Sequence, residues 1–407
     1  MRLSRRRFTS GAICALGMPL FLEGCGGGAG AGEAPIGVVP APMPVPTATP
    51  TPVPPPASAP VPPPAPSAAV PAKTISPTAV TIAFAGSSSP ERYLTRYDGP
   101  VADGAVLASS DGIGFAPLLL GAFGKAAGRT IAATTGRTVR FIRGGVGGST
   151  LAQWAAPGAA VRSDLARKIV AAGGADAVLI QVGWNDAAAR IVVGLDTQQA
   201  LLRTLIAGLR AETGLPDLTV FLGATQGAPG GDDAQHAQLA IQRQVELAVA
   251  KSDAGVRYAF STYDLPTIDA IHQTERSQIL SGGRFAAQVV AWLQGSAQRR
   301  GPQPLSANPA STTQTDVTIR HVGGSDFTPS SDITGFFVTT PTKVCPIISA
   351  VRTSPTTIRL THGSSEGAAV RVSHALFVES GYDTTVRDNS VDTLPLEPSP
   401  GWLPLAA

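Results

Sequence analysis

Four short stretches carry side chains suited to acyl chemistry. Gly86-Ser87-Ser88-Ser89 ends the apolar run Thr81-Ile82-Ala83-Phe84-Ala85. A hydroxyl at the carboxyl end of a buried parallel strand is held rigidly, at the crevice where open α/β sheets bind ligands. Ser88 is therefore the candidate nucleophile, although a Gly-Ser run also makes an ordinary flexible turn. A Ser hydroxyl attacks poorly until a base takes its proton. In Asp269-Ala270-Ile271-His272 the three-residue spacing lets the carboxylate accept from one imidazole nitrogen and leaves the other free as base. Gly183-Trp184-Asn185-Asp186 follows another apolar run, and its Asn amide can donate to a developing oxyanion. Gly144-Gly145-Val146-Gly147-Gly148 follows a third, and glycines let the backbone approach a ligand with an N–H turned toward it. Each stretch has a plainer explanation as a glycine turn, a capping Asn or a surface Asp–His pair. Their arrangement past successive strands is what marks them as a set.

Other chemistries fit less well. No Gly-Lys-Ser/Thr follows the glycines, so the loop does not cradle phosphate. The five histidines have no clustered Cys or carboxylate partners, so no metal site is expected.

The elements that would position these loops alternate from about Val80 to Gln298. Expected strands are Val80 to Ala85, Val139 to Ile142, Ala177 to Val182, Leu218 to Leu222 and Val256 to Ala259. Expected helices are Phe115 to Thr134, Val161 to Ala172, Thr197 to Glu212, Asp233 to Ala250 and Gly283 to Leu293. In the second of these, Leu165, Ile169 and Val170 share one face. Such alternation argues for a doubly wound parallel sheet between two helical layers.

The chain has 407 residues, and 43% of them are hydrophobic. Its 36 prolines and 45 glycines are too many for one core and must be concentrated elsewhere. Residues 1–25 read as an export signal. Arg2, Arg5, Arg6 and Arg7 precede the apolar run Gly11 to Leu22, which is too short to span a bilayer. Ser4-Arg5-Arg6-Arg7-Phe8 resembles a twin-arginine motif. Leu22-Glu23-Gly24-Cys25 resembles a lipoprotein cleavage box with Cys25 as the lipidated residue. Gly26 after it favours an outer-membrane or surface anchor over inner-membrane retention. Residues 26–79 form a Pro-rich linker that buries no core; at about 3.1 Å per residue it reaches roughly 150 Å. Removing residues 1–24 leaves 27 basic and 27 acidic residues, so the mature chain has no electrostatic footprint for nucleic acid. Cys345 then has no partner, and no intrachain disulfide is expected.

Residues 299–312 read as a second linker. Residues 313–407 read as a β-rich accessory domain, with short strands at Asp316 to Val322, Gly335 to Thr339, Thr357 to Thr361, Ala369 to Val372 and Ala375 to Val378. Their spacing suggests a β-sandwich that serves packing or sugar binding.

Gly86-Ser87-Ser88, Gly148, Gly183-Trp184-Asn185-Asp186 and Asp269-Ala270-Ile271-His272 resemble the four blocks of the SGNH (GDSL-type) hydrolase superfamily. Gly147-Gly148-Ser149-Thr150-Leu151-Ala152-Gln153-Trp154 is similar to a segment of its sialate O-acetylesterase-like carbohydrate esterases, and Gly112-Ile113-Gly114-Phe115-Ala116-Pro117 to a turn of that branch. The resemblance spans residues 80–298. It implies a three-layer α/β/α fold and removal of short acyl groups, chiefly acetyl, from carbohydrate without a cofactor. It makes Ser88 the nucleophile, His272 the base and Asp269 its orienter. The oxyanion would be held by the N–H groups of Ser88 and Gly148 and the amide of Asn185. Ser87 stands where the superfamily has Asp and this branch Gln, and Ser89 where the branch has Asn. Ser87, Ser89, Trp184 and Trp154 are the expected substrate contacts. A general short-chain esterase and a non-catalytic carbohydrate-binding protein on the same fold are the alternatives.

Overall fold

A computed structural model describes residues 75–405, apart from 101–103, 191–192, 226, 228–230, 232, 270, 376–385 and 391–393. The signal segment, Cys25, the linker as far as residue 74 and part of the expected last strand lie outside the described residues.

Seven strands build the central sheet: β1 (Ala79–Gly86), β2 (Val106–Ser109), β3 (Ala116–Pro117), β4 (Thr138–Arg143), β5 (Ala177–Gln181), β6 (Thr219–Gly223) and β7 (Val256–Phe260). They lie in the order β3-β2-β4-β1-β5-β6-β7. All pair in parallel except β3, which runs antiparallel to β2. The helices are α1 (Ser88–Tyr93), α2 (Ala122–Thr135), α3 (Leu151–Ala155), α4 (Ala160–Ala171), α5 (Trp184–Ala188), α6 (Leu195–Thr213), α7 (Asp233–Ser252) and α8 (Glu275–Leu293).

β1, β5 and β6 are mostly apolar because the middle of the sheet is covered on both faces, while Arg140 of β4 and Arg257 of β7 sit nearer its margins. Val80, Ile82 and Phe84 of β1 join the core beneath α2 and α8, which includes Phe123 and Phe285. Ala83 and Ala85 point the other way, into the core shared with Leu165, Leu205 and Val245 of α4, α6 and α7. Phe84 meets Phe141 edge-on at 5.3 Å, Phe123 at 6.0 Å and Phe285 at 6.2 Å, the geometry aromatic rings favour. The chain runs from β4 over β1 to β5, so the direction of winding reverses at β1. The crevice outside the carboxyl ends of β4, β1 and β5 is where such a sheet opens to ligand.

Three expectations need correction. The helix expected over Phe115 to Thr134 begins only at Ala122, because Ala116–Pro117 pairs with β2 and Gly121 turns the chain with φ +114°. The helix expected from Gly283 begins at Glu275, where the Thr274 hydroxyl accepts from the Ser277 amide. Gly282 is a notch rather than a breaker: a Cβ there would lie 2.5 Å from the Phe123 carbonyl oxygen of α2. Residues 303–311, read as linker, form a strand, and its alternating contacts outweigh the prolines at its sheet edge.

That strand is β8 (Gln303–Ser311), followed by β9 (Gln314–Arg320), β10 (Phe327–Thr328), β11 (Phe336–Thr339), β12 (Ile347–Ser354), β13 (Thr357–His362), β14 (Arg371–His374) and β15 (Arg387–Asp388). An antiparallel sheet in the order β12-β13-β9-β8 stands with the pairs β11-β14 and β10-β15 around one core. Val317, Ile358 and Leu360 of the larger sheet share that core with Val338 and Val372 of β11 and β14, as in a β-sandwich. Residues 75–405 belong to one compact unit, and its two parts are joined by buried polar contacts. Arg243 of α7 donates to the Ala375 carbonyl at 2.7 Å, and Tyr263 Oη donates to the Leu396 carbonyl. Arg300 pairs with Glu397, and Arg387 reaches Asp264 at 2.9 Å.

Two outcomes follow. Gly86→Ala should cost roughly 2–5 kcal/mol, seen as a lower thermal midpoint, because the added methyl meets backbone at a positive φ. Gly136→Ala, left-handed but with nothing within 4 Å of the added atom, should cost only about 1–2 kcal/mol. Second, burial pushes the His374 imidazole down to about 4, against the opposing effect of its Nδ1–H donated to Glu397. The unfolded chain then binds the extra proton, so stability rises between pH 4 and about 6.5, by up to roughly 3 kcal/mol from this group. His374→Gln should flatten that part of a thermal-midpoint profile against pH.

Candidate active site

β1 ends where only glycine fits. Gly86 has φ +126°, and a Cβ on it would lie 2.0 Å from the Gln181 carbonyl oxygen at the end of β5. The Ser87 amide donates to the same carbonyl at 3.3 Å, and Ser88 opens α1. As the first helical residue, Ser88 has no carbonyl one turn earlier to take its N–H. The helix is pinned from below. Tyr93 Oη donates to Gln181 Oε1 at 2.7 Å, Gln181 Nε2 donates to the Ala224 carbonyl at 2.9 Å, and the Tyr93 ring stacks on Phe123 at 4.0 Å.

The loop after β4 lies against this turn. The Val146 amide donates to the Gly86 carbonyl at 2.8 Å. Gly145 passes so close to α1 that a Cβ would meet the Glu91 nitrogen at 2.4 Å. Gly148, with φ +76°, turns its missing side chain toward open space. The loop then enters α3 through a capping box between Thr150 and Gln153.

Two neighbours on the loop after β5 clasp that loop. Asp186 Oδ2 accepts from the Leu151 amide at 2.9 Å, and Asn185 Nδ2 donates to the Ser149 carbonyl at 2.8 Å. Burial pushes the Asp186 carboxyl up, opposed by the amides it accepts from. Asp186 thus ties down the neighbouring loop. The second N–H of the Asn185 amide is left for a ligand.

The fourth loop hangs from β7 at the sheet's edge. His272 Nδ1 lies 3.0 and 2.9 Å from the two Asp269 oxygens, and its Nε2 lies 2.9 Å from Ser88 Oγ. The amides of Ile271 and His272 also donate to Asp269 Oδ1, at 3.1 and 2.6 Å. Burial opposes ionisation of Asp269, but the bonds from the His272 ring and these amides outweigh it and hold the carboxyl at about 2. The base of the loop is fixed by Asp264, which Arg284 grips with both arms at 2.8 and 2.6 Å.

Ser88, Gly148, Asn185 and His272 line one cavity of about 490 Å³. Four groups expected from separate loops therefore converge, in a geometry suited to attack on an ester carbonyl. The expected substrate contacts do not share that wall. Ser87 and Ser89 are buried, and Trp154 is fully enclosed, its indole N–H donated to Ser149 Oγ at 2.8 Å. Trp184 packs on Ala187 and Leu239. An aromatic beside a glycine loop suits a core as well as a sugar, and here the core claims both. The wall is built instead by Glu91, Arg92, Thr95 and Arg96. Their spacing from Ser88, three, four, seven and eight residues on, was the available signal. Among the described residues no group of His, Cys, Asp and Glu could hold a metal ion.

Residues 109–291 match the family model described as carbohydrate esterase, sialic acid-specific acetylesterase. That stretch carries Gly148, Asn185, Asp269 and His272, while Ser88 lies before it. No curated protein matches the chain. Among solved structures, a carbohydrate acetylesterase from Xanthomonas citri is 17% identical with a TM-score of 0.61, covering 78% of this chain and 79% of that one. A carbohydrate acetylesterase from Sinorhizobium meliloti is 19% identical with a TM-score of 0.37, covering 52% and 99%. An Arabidopsis thaliana protein is 17% identical with a TM-score of 0.41, covering 53% and 99%. The likeness to the first of these is one of fold. With the family model matched over residues 109–291, it makes the α/β part of this chain similar to the carbohydrate esterases described as sialic acid-specific acetylesterases and marks it as a carboxylic ester hydrolase of SGNH-type fold.

Proposed function

We propose that this protein is an exported serine esterase that removes acetyl groups from carbohydrate through a covalent acyl-enzyme. The observation that carries this reading is the unbroken chain from Asp269 through both nitrogens of His272 to Ser88 Oγ. His272 Nε2 takes the Ser88 proton as the oxygen attacks the ester carbonyl. Asp269, ionised down to strongly acid pH, fixes the tautomer that leaves Nε2 free and then balances the imidazolium. The tetrahedral oxyanion is met by the N–H groups of Ser88 and Gly148 and the Asn185 amide, already oriented by its bond to Ser149. As the bond from the carbonyl carbon to the sugar oxygen breaks, His272 gives the proton to that oxygen and frees the sugar hydroxyl. The acetyl stays on Ser88 until water, deprotonated by His272, attacks it and releases acetate, the proton returning to Ser88. The open cavity beside Ser88 has room for a sugar ring on the leaving-group side.

The address belongs to the same proposal. The basic and apolar N-terminal run and Cys25 support export and lipid anchoring at the outer membrane or cell surface, with the linker holding the esterase clear of the bilayer.

On 4-nitrophenyl acetate and on acetylated xylo-oligosaccharides, Ser88→Ala should lower kcat at least about a thousandfold, with the thermal midpoint kept. Asn185→Ala should lower kcat about 10²–10³-fold, the typical loss of one oxyanion donor. Ser88→Ala turning over as fast as the unaltered protein would end the esterase reading. Cys25→Ser should move the full chain from the membrane to the soluble fraction in a bacterial host; an unchanged distribution removes the anchor and leaves the esterase.

A further inference from the structure

Behind the loop that carries Asn185, one buried hydroxyl faces two acceptors. Thr225, just beyond β6, has its Oγ1 2.9 Å from the Val182 carbonyl oxygen and 2.9 Å from Glu246 Oε1 of α7. A hydroxyl has one proton to give. If Thr225 gives it to Glu246, the Val182 oxygen is left facing a lone pair at hydrogen-bond distance. Both contacts are bonds only when Glu246 itself carries a proton. The acid then donates to Thr225, and Thr225 donates to Val182.

The surroundings suit a neutral acid. Glu246 is buried, and burial lifts its carboxyl to about 7, against the bonds from Gln242 and Thr225 and the charge of Arg243. Gln242 Nε2 donates to its Oε1 at 2.9 Å, and the Thr225 amide donates to its Oε2 at 3.3 Å. Two ionisable groups act on it, Arg243 of its own helix and Tyr258 of β7, a phenol that burial keeps neutral. Arg243 Nε donates to the Thr225 carbonyl at 3.0 Å and Nη1 to that of Ala375 at 2.7 Å.

The same cluster reaches the Asn185 loop a second time. Gln242 Oε1 accepts from Gln198 Nε2 at 2.7 Å, and the Gln242 side chain fills the space where a Cβ on Gly183 would stand. Gly183, with φ +101°, caps α5, and Asn185 is the second residue of that helix. The peptide that Thr225 and Gln242 hold is therefore the one from which the Asn185 amide projects.

We propose that Glu246 is a positioning residue for the Asn185 amide, holding it through Thr225 and the Val182 carbonyl while protonated and releasing it when ionised. Turnover then declines as the medium turns alkaline, although a Ser–His pair works with its imidazole neutral. The proposal rests on the esterase reading, so one arm of its test needs no turnover.

The first arm reads kcat and KM on 4-nitrophenyl acetate. In the unaltered full chain kcat should fall at least about fivefold between about pH 6.5 and about pH 9, with KM little changed, because the displaced donor serves the transition state. Glu246→Gln keeps a neutral donor beside Thr225. Gln242 and Gln198 can turn their amides to match, since Gln198 Oε1 has no donor among the described residues. Its kcat should stay level over the same range. Thr225→Val removes the relay, so kcat should be low and level throughout. The second arm follows the Asn185 side-chain amide by NMR in the full chain carrying His272→Gln, which removes the imidazole from the cavity. That resonance, identified by its loss in Asn185→Ser, should shift with a midpoint at about pH 7 and stay still once Glu246→Gln is added. A level kcat in the unaltered protein, a decline shared by Glu246→Gln or Thr225→Val, or a stationary resonance overturns the proposal. If Glu246→Gln does not fold, the unaltered protein and Thr225→Val decide. If Ser88→Ala is as active as the unaltered protein, the esterase reading falls and the resonance alone decides on Glu246.

Discussion

The whole site depends on bringing a loop from the sheet's edge to its centre. His272 hangs from β7, and between β7 and β1 lie β6 and β5. Nothing in the sheet ladder itself places the imidazole beside Ser88. That placement comes from Asp264, buried at the root of the loop between Arg284 and Arg387. Burial alone would drive the carboxyl upward, but the two guanidinium groups hold it below the usual range. A buried charge held this way is stabilised in one geometry, and removing one partner leaves the others unpaired in a low dielectric. The arrangement favours a fixed loop base over a compliant one, as a 2.9 Å contact across the cavity requires.

The other three loops are joined pairwise. Gly86 lets β1 and β5 approach, Val146 bonds back to Gly86, and Asn185 and Asp186 hold the glycine loop from the far side. Each donor proposed for the oxyanion is thus set before a substrate arrives. Donors fixed in advance need no reorganisation when charge develops, which is where such sites gain most of their effect.

Much of this was legible in the chain. Buried parallel strands are largely apolar runs, so β1, β4, β5, β6 and β7 stood out despite Arg140 and Arg257, and the candidate site residues lay just beyond four of them. Strand order was not legible, because pairing depends on crossovers that leave no local mark. β2, only four residues long, and β12, with mixed exposure, carry too weak a pattern to be read. Trp154 and Trp184 misled because an indole has an apolar body and one polar atom, and only packing decides which matters. Arg92 sits in Glu91-Arg92-Tyr93, which reads as an ordinary solvated helix. The enclosure of its Nη1 without a hydrogen-bond acceptor among the described residues shows only in three dimensions.

The contact between Arg387 and Asp264 gives the C-terminal sheets a part in holding the loop that carries His272. A chain cut after residue 298 would keep every group proposed to touch the ester and still lose a clamp under the loop that carries His272, along with the carbonyls that receive Arg243 and Tyr263. The β region is therefore a poor candidate for exchange with other modules. Its inner edge is tied by these contacts to the α/β part it braces.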